Sequence, residues 1–168
     1  MRKSAADTMS RRGFVFGGVG LALSAFAPIG CSPSDRFAGS AYRRLTDAQW
    51  RARLPEASYH VLRQDATERS HSSPLVSEHR KGLFNCRGCA LLMFRSDWKY
   101  DSGTGWPSFF RGIRDNVLLT PDRSLLITRT AFQCARCKGH AGHIFTDGPQ
   151  PTGERWCTNG AALAFVAT

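Results

Sequence analysis

Hydrophobic and polar positions divide the chain into an uncharged N-terminal stretch, a short helical segment and a region of strands. Residues 13–30 carry no charged side chain. The pattern over residues 45–54 predicts a short helix with Trp50 on its inner face. Thr46 or Asp47 would cap this helix, because the side-chain oxygens of both residue types accept hydrogen bonds from a first helical turn.

The pattern beyond this helix favours β-structure. Residues 59–62 predict a brief extended segment. Residues 117–130 alternate between apolar and polar positions, which predicts a β-hairpin with its turn at Pro121 and Asp122. Four phenylalanines complete the expected core of an all-β domain: Phe84, Phe94, Phe132 and Phe145.

A last predicted strand places a cysteine beside polar groups. Residues 155–159 follow a turn rich in Pro and Gly, which is typical of a strand start. Side chains alternate along a strand, so Arg155, Cys157 and Asn159 share one face. A guanidinium beside a thiol favours the reactive thiolate. We therefore interpret Cys157 as the nucleophile of a redox enzyme, with a buried structural cysteine as the alternative.

The segment before this strand supplies further candidate groups. His143, Phe145 and Asp147 alternate in the same way, and His140 adds a second imidazole. If the two segments are neighbouring strands, their polar side chains converge with Cys157 in one pocket. Such a constellation resembles a site with perturbed pKa values.

A loop rich in glycine and proline surrounds Trp106. Residues 101–110 combine these turn formers with aromatic side chains. The composition predicts a rigid loop that presents Trp106. A core tryptophan under a turn is the alternative.

Two CxxC units indicate a metal site. Two such turns can supply the four thiolates of a tetrahedral structural zinc site. Because the units are far apart in the sequence, they must meet through the tertiary fold. The alternatives are two disulfides, which would suit an exported protein, and a redox-active CxxC unit. The four candidate zinc ligands are Cys86, Cys89, Cys134 and Cys137.

Residues 1–31 have the features of an export signal. Residues 10–15, with the sequence SRRGFV, resemble a twin-arginine motif, and a basic region precedes the apolar stretch. Residues 25–27 resemble a cleavage site, whereas residues 29–31 resemble the end of a lipobox that would lipidate Cys31. We expect a periplasmic protein or a lipoprotein anchored through Cys31, with an uncleaved N-terminal anchor as the alternative.

Composition and charge set the remaining boundaries. Residues 32–44 carry Pro, Ser, Gly and charge and predict a linker, which leaves residues 45–168 as one catalytic domain. The chain is 42% hydrophobic and 21% charged, as expected for a globular protein, and its formal net charge is +10. The basic residues are scattered singly, so we expect a solvated basic surface, no nucleic-acid partner and a monomer.

Taken in order, these motifs resemble the methionine sulfoxide reductase B family, whose members reduce the R epimer of methionine sulfoxide. The resemblance spans about residues 45–165. The two CxxC units belong to it, and so do six further motifs: Trp50 with Tyr59-His-Val-Leu-Arg63, Ala66-Thr-Glu68, Gly105-Trp-Pro-Ser-Phe109, His140-x-Gly-His143, Phe145-x-Asp-Gly-Pro149 and Arg155-x-Cys157-x-Asn159.

The resemblance implies a mainly β fold of two antiparallel β-sheets with few short helices and a structural zinc site of four cysteines. It also implies that the Cys157 thiolate attacks the sulfoxide sulfur and becomes a sulfenic acid. Trp106 would pack against the substrate methyl group, and Phe145 would wall the pocket. A histidine pair can supply the proton that activates the sulfoxide. The implied polar side of the pocket consists of His140, His143, Asp147, Arg155 and Asn159.

One departure from the family pattern concerns regeneration. Many members carry a resolving cysteine at the position of Thr104. Apart from the four candidate zinc ligands and Cys157, the chain has only Cys31. We therefore expect a thioredoxin-like external thiol to reduce the sulfenic acid directly. Peptides or exported proteins that contain methionine-R-sulfoxide are the expected substrates.

Two other functions remain open from the sequence. One is an exported, zinc-stabilised basic binding module without catalysis, which the net charge suggests. The other is a thiol–disulfide oxidoreductase that uses a CxxC unit, although a thioredoxin-like βαβ pattern is missing.

Overall fold

A computed structural model describes residues 36–124 and 127–168 of the chain. The predicted export signal and Cys31 lie outside the described residues. Across these two ranges, no helix is both long enough and apolar enough to cross a membrane.

The described chain holds two α-helices and nine β-strands. The helices are α1 (Asp47–Arg53) and α2 (Glu56–Gln64). The first strands are β1 (Gly82–Cys86), β2 (Leu92–Arg95), β3 (Lys99–Tyr100) and β4 (Ser108–Phe109). The others are β5 (Val117–Asp122), β6 (Arg129–Cys134), β7 (His140–Phe145), β8 (Arg155–Thr158) and β9 (Leu163–Ala167).

The strands form two antiparallel sheets. A three-stranded sheet has the order β2-β1-β9, and a six-stranded sheet has the order β3-β4-β8-β7-β6-β5. The mainly β fold with two sheets and few helices, predicted from the sequence, is confirmed.

Fully buried aromatic rings join the two sheets. The Phe94 ring of the small sheet stacks on Phe109 of the large sheet, with 4.2 Å between centroids. Phe84 meets Phe109 edge to face at 5.0 Å, and Phe94 meets Trp156 of the large sheet at 5.9 Å. Such ring pairs add to the free energy gained by burying the apolar area itself. Phe145, expected in this core, lies outside it.

Helix α1 confirms the helix prediction in detail. Thr46 is its N-cap, and Thr46 and Gln49 form a reciprocal capping box. Trp50 is buried on the inner face of the helix.

The prediction of an extended segment at residues 59–62 is wrong, because these residues belong to α2. The buried residues of α2 are Ser58, Tyr59, Val61 and Leu62, which have the spacing of one helical face. The C-cap of α2 is Asp65, whose φ of 55° lies in the left-handed region.

The hairpin predicted within residues 117–130 exists, but its turn is not at Pro121 and Asp122. Both residues lie in β5, where Pro121 pairs with Thr130 and Asp122 pairs with Arg129. Proline is tolerated because β5 is the edge of its sheet, where alternate N–H groups point away from the neighbouring strand. The strand therefore continues far enough to bring Asp122 beside the site described below.

The predicted linker, residues 32–44, contains a 3-10 turn at Ala41–Arg44. Phe37 and Tyr42 are partly buried and pack against the core.

Candidate functional site

Strand pairing brings the predicted catalytic groups together. β7 and β8 are antiparallel neighbours, which meets the condition for the predicted convergence, and His143 lies directly opposite Cys157. Trp156 is 0% exposed, so alternation turns Cys157 and Arg155 away from the core. Cys157 itself is only partly buried and is not a core cysteine.

A glycine permits this close pairing. A Cβ atom at Gly142 would lie 2.1 Å from the Cys157 carbonyl oxygen, far inside van der Waals contact. Only glycine therefore lets β7 approach β8 at this register. In the loop between β3 and β4, Gly105 has a φ of 83°, a left-handed conformation that favours glycine. Trp106 follows it directly.

A cavity of about 120 Å³ lies over the Cys157 thiol. Its lining combines the aromatic rings of Trp106 and Phe145 with polar groups that include His143. Five of the predicted site residues line it: Trp106, His143, Phe145, Cys157 and Asn159. Four residues that were not predicted as site residues also line it: Thr67, Arg129, Gly142 and Thr158.

The environment of Cys157 differs from the sequence-based expectation. Burial raises the pKa of the Cys157 thiol above its usual value. The charge of Arg155, followed by hydrogen bonds with Thr104 and Arg155, lowers this pKa but does not offset burial. Cys157 in the free protein is therefore mainly a thiol at neutral pH, and a base is needed to form the thiolate.

His143 is held by an ion-pair network that the sequence did not reveal. Its Nε2 lies 2.7 Å from Oδ2 of Asp122, and Nη2 of Arg129 lies 2.6 Å from the same oxygen. Hydrogen bonds from Ser124, His143 and Arg129 hold the pKa of Asp122 below its usual value, so it is a carboxylate. Burial lowers the pKa of His143, and the hydrogen bond to Asp122 opposes this shift only in part. His143 is therefore mainly neutral near pH 7.

The second histidine lies deeper in the protein. The His140 ring is 5.3 Å from the His143 ring, between centroids. Its Nε2 is buried and makes no hydrogen bond within the described residues. Burial, then the charge of His143, lowers the pKa of His140. His140 lines a second cavity of about 390 Å³, next to the first, together with His143, Asp122 and Arg129.

Arg155 and Asp147 form a bidentate pair beside the cavity. Arg155 Nε and Nη2 each donate to a carboxylate oxygen of Asp147 at 2.9 Å. This pairing lowers the pKa of Asp147 and raises that of Arg155. The guanidinium also lies over the Phe145 ring, 4.2 Å from its centroid. Neither charged residue lines the cavity itself, and the pair supports the Phe145 wall instead.

Asn159 and Trp106 are both fixed through the segment around Glu68. Asn159 Oδ1 accepts from the Glu68 backbone N–H at 3.0 Å, and its Nδ2 donates to the Ala141 carbonyl at 3.2 Å. Trp106 Nε1 donates to the Glu68 carbonyl at 3.1 Å. The Glu68 carboxylate accepts from the N–H groups of Gly160 and Ala161. The segment around Glu68 therefore orients two side chains that line the cavity, Trp106 and Asn159.

The four cysteines of the CxxC units form a second cluster. All four side chains are buried, and their sulfur atoms lie within 4.8 Å of one another. Cys86 and Cys137 are 3.6 Å apart at sulfur, and Cys89 and Cys134 are 3.4 Å apart. Hydrogen bonds among the sulfurs, mainly with Cys134, lower the pKa of Cys89 and raise those of Cys86 and Cys137.

The cluster fits a tetrahedral zinc ion. With Zn–S bonds of about 2.3 Å, the edges of the tetrahedron are about 3.8 Å, close to the sulfur separations seen here. Both turns also have the same form, because the residue after each unit, Ala90 or Lys138, has a left-handed backbone. The Ala90 N–H donates to the Cys86 carbonyl at 2.8 Å, and the Lys138 N–H donates to the Cys134 carbonyl at the same distance. The chain can therefore hold a structural metal at the turn between β6 and β7, just before His140.

Comparison with known proteins agrees with this geometry. The family model described as the SelR domain matches residues 54–167. The peptide methionine sulfoxide reductase MsrB of Methanosarcina mazei is 45% identical over 72% of this chain and 87% of its own length. The MsrB of Leptospira interrogans is 42% identical over 71% and 92%. The MsrB of Bradyrhizobium diazoefficiens is 47% identical over 70% and 86%.

Proposed function

The chain belongs to the SelR-domain family of peptide methionine (R)-S-oxide reductases, and we propose that Cys157 carries out this reduction as the attacking nucleophile. The observation that carries the proposal is the cavity that Cys157, its cross-strand partner His143, Trp106 and Phe145 line together. These groups meet the needs of a reaction that requires a thiolate, a proton carrier and a slot for a methyl group.

The first half-reaction transfers oxygen from the substrate to Cys157. Neutral His143 takes the thiol proton, and the thiolate attacks the sulfoxide sulfur. The proton passes from His143 to the sulfoxide oxygen, which makes that oxygen a better leaving group. The attack forms a bond between Cys157 Sγ and the substrate sulfur. The hydroxyl group then passes from the substrate sulfur to Cys157 Sγ as the bond between the two sulfurs breaks, which leaves Cys157 as a sulfenic acid. Methionine leaves reduced by two electrons, and Cys157 is oxidised by two.

The second half-reaction needs two external thiols. A first thiol attacks the sulfenic sulfur, releases water and forms a mixed disulfide with Cys157. A second thiol attacks that disulfide, releases a small or protein disulfide and restores the Cys157 thiol. Thr104, which hydrogen-bonds with Cys157, has no sulfur, and the other cysteines of the described chain belong to the buried cluster. We therefore infer that a thioredoxin-like reductant acts on Cys157 directly.

The lining of the cavity supports discrimination between the two epimers. An indole and a phenyl ring can pack against the S-methyl group, whereas the His143 side can bind the oxygen. In the S epimer, the methyl group and the oxygen are exchanged. Its oxygen would face the apolar wall without a hydrogen bond, which is costly for a polar atom.

The cluster of four cysteines would hold zinc with a structural role. Cys86, Cys89, Cys134 and Cys137 would bind it, and the ion would supply no chemistry to the substrate. Its function would be to join the turn after β1 to the turn before β7. We also propose export through the twin-arginine pathway, with exported proteins as substrates, because the residues at 10–15 and the uncharged stretch after them favour it.

The test follows both epimers separately. The full-length chain is given excess dithiothreitol and N-blocked methionine sulfoxide, and loss of the R and S epimers is measured by chiral chromatography. We expect consumption of the R epimer alone, and none by Cys157→Ser with its fold and zinc retained. If folded, zinc-loaded wild type consumed neither epimer, the function would be wrong, and a basic binding module would be the better explanation.

A further inference from the structure

One row of residues crosses the large sheet at the site. Strand pairing places Thr120, Ala131, His143 and Cys157 side by side, on β5, β6, β7 and β8. Ala131, between Thr120 and His143, has only a methyl group and can offer His143 no hydrogen bond. The hydrogen-bond partner of His143 comes instead from Asp122, two residues beyond Thr120 on β5.

The contact between Asp122 and His143 is enclosed, unlike the other ion pairs of the described chain. The side chains of His143, Asp122 and Arg129 are 12%, 18% and 23% exposed. In each of the other pairs at least one side chain is more than half exposed. Exposed pairs contribute little to stability or orientation, whereas an enclosed carboxylate between two donors fixes both of them.

The geometry decides which nitrogen of His143 carries a proton. A carboxylate can only accept, so the Nε2 atom that lies 2.7 Å from Asp122 must carry hydrogen. In the neutral ring Nδ1 is then the base, and it is the atom free to exchange a proton. Arg129 donates to the same carboxylate oxygen and holds it in place. A carboxylate that orients a functional histidine through its other nitrogen is a widespread arrangement.

We propose that Asp122 is a positioning residue for His143, which it holds in the tautomer whose Nδ1 carries the proton between Cys157 and the sulfoxide oxygen. The inference rests on the proposed function, in which His143 moves this proton. Arg129 acts one step further out, because it holds Asp122. No net proton is gained or lost, since the proton that leaves the thiol is the one that reaches the oxygen.

The first readout is kinetic. Asp122→Asn keeps the size of the side chain but removes the obligate acceptor, so both tautomers of His143 become accessible. We expect kcat for the R epimer to fall about 10- to 100-fold, as for other lost partners of functional histidines, with KM within about twofold. Asp122→Glu, which restores a carboxylate, should recover part of kcat. The control is Asp97→Asn, whose partner Arg95 is exposed, and it should match wild type within about twofold.

The second readout is the pH dependence of kcat. The groups that face His143 are Asp122, Arg129, His140 and Cys157, and Asp65 lines the second cavity with it. Of these, the Asp122 carboxylate favours protonated His143, so its removal lowers the pKa of His143. The limb of the profile that belongs to His143 should therefore move to lower pH in Asp122→Asn. An unmoved limb, beside reduced activity, would mean that Asp122 does not act through His143.

The third readout does not depend on activity. Nitrogen-15 NMR of the imidazole groups should show His143 of the wild type protonated at Nε2 alone above its pKa, and a mixture of tautomers in Asp122→Asn. A mixture already in the wild type would overturn the proposal, even if the variant failed to fold. Unchanged kcat in folded Asp122→Asn, beside an active wild type, would overturn it as well. An inactive wild type with a fixed tautomer would instead refute the proposed function and leave the positioning contact established.

Discussion

Replacing Gly142 by alanine tests whether the pairing of β7 with β8 sets the catalytic geometry. The added Cβ would lie 2.1 Å from the Cys157 carbonyl oxygen and 3.0 Å from the Thr158 Cα, whereas ordinary contact begins at 3.4 Å. The two strands must therefore separate by about 1.3 Å beside the nucleophile. Both atoms in the way belong to the backbone, so no side-chain rotation relieves the contact.

The expected loss follows from that displacement. A shift of about 1 Å in a catalytic group costs about 100-fold in rate, so kcat/KM for the R epimer should fall by about two orders of magnitude. Overpacking of this kind also lowers the free energy of unfolding by about 1–3 kcal/mol. For a chain of this size, each kcal/mol lowers Tm by roughly 2–4 °C. The variant should therefore remain folded at 25 °C while it loses most of its activity.

The assay measures kcat/KM with dithiothreitol at 25 °C, together with Tm and zinc content. The matched control is Gly39→Ala, because a Cβ at Gly39 meets nothing within 4 Å and no left-handed φ is required there. Gly39→Ala should keep both wild-type activity and wild-type Tm. If Gly142→Ala also kept kcat/KM within about twofold, with an unchanged Tm, the close approach of the strands would not be what positions Cys157.

Three further predictions concern the cysteines. The first variant is Thr104→Cys in a Cys31→Ser background. After one turnover, mass spectrometry should find oxidised Cys157 in a disulfide with the new cysteine, because Thr104 already hydrogen-bonds with the Cys157 thiol. Accumulation of the Cys157 sulfenic acid would contradict this prediction. Alkylation of Cys157 by iodoacetamide, followed by peptide mapping, should rise with pH to a midpoint above the usual pKa of 9.0, since burial raises the pKa of this thiol, and Arg155→Gln should move the midpoint to still higher pH. A midpoint below 9.0 would show that Arg155 outweighs burial. The wild-type chain should hold about one zinc by atomic absorption, and Cys86→Ser should lose it. The variant should also have a lower Tm, because a structural metal contributes to the free energy of folding. Equal Tm values would count against the metal site.

Much of the site was predictable because its main signals are local. Alternation along residues 155–159 placed Arg155 and Cys157 together on one side of a strand, and the spacing of the CxxC units predicted four clustered thiols. The convergence depended on the pairing of β7 with β8, which the sequence left open and which the register of His143 and Cys157 shows. The roles given to all the predicted site residues stay predictions, although the structure shows what each of them contacts.

Other features were decided only by tertiary contacts. The turn predicted at Pro121 and Asp122 rested on turn propensity, but an edge position in the sheet tolerates proline, so the strand continues through both residues. That continuation brings Asp122 to His143, and no local pattern indicates it. Residues 59–62 were also misassigned, because the helical face of α2 is defined by its burial against other parts of the chain.

The electrostatics of Cys157 show the same division. From the sequence, a neighbouring arginine predicts a stabilised thiolate, since a charge two residues away is visible in the pattern. The pKa of a thiol also depends on how much water the fold removes from it, and here that desolvation is the larger effect. The sequence by itself determined which groups alternate onto one face and how the cysteines are spaced, because strand periodicity and turn chemistry are local. Burial and the contacts of residues far apart in the chain were decided by the tertiary structure, because both depend on how all the strands pack together.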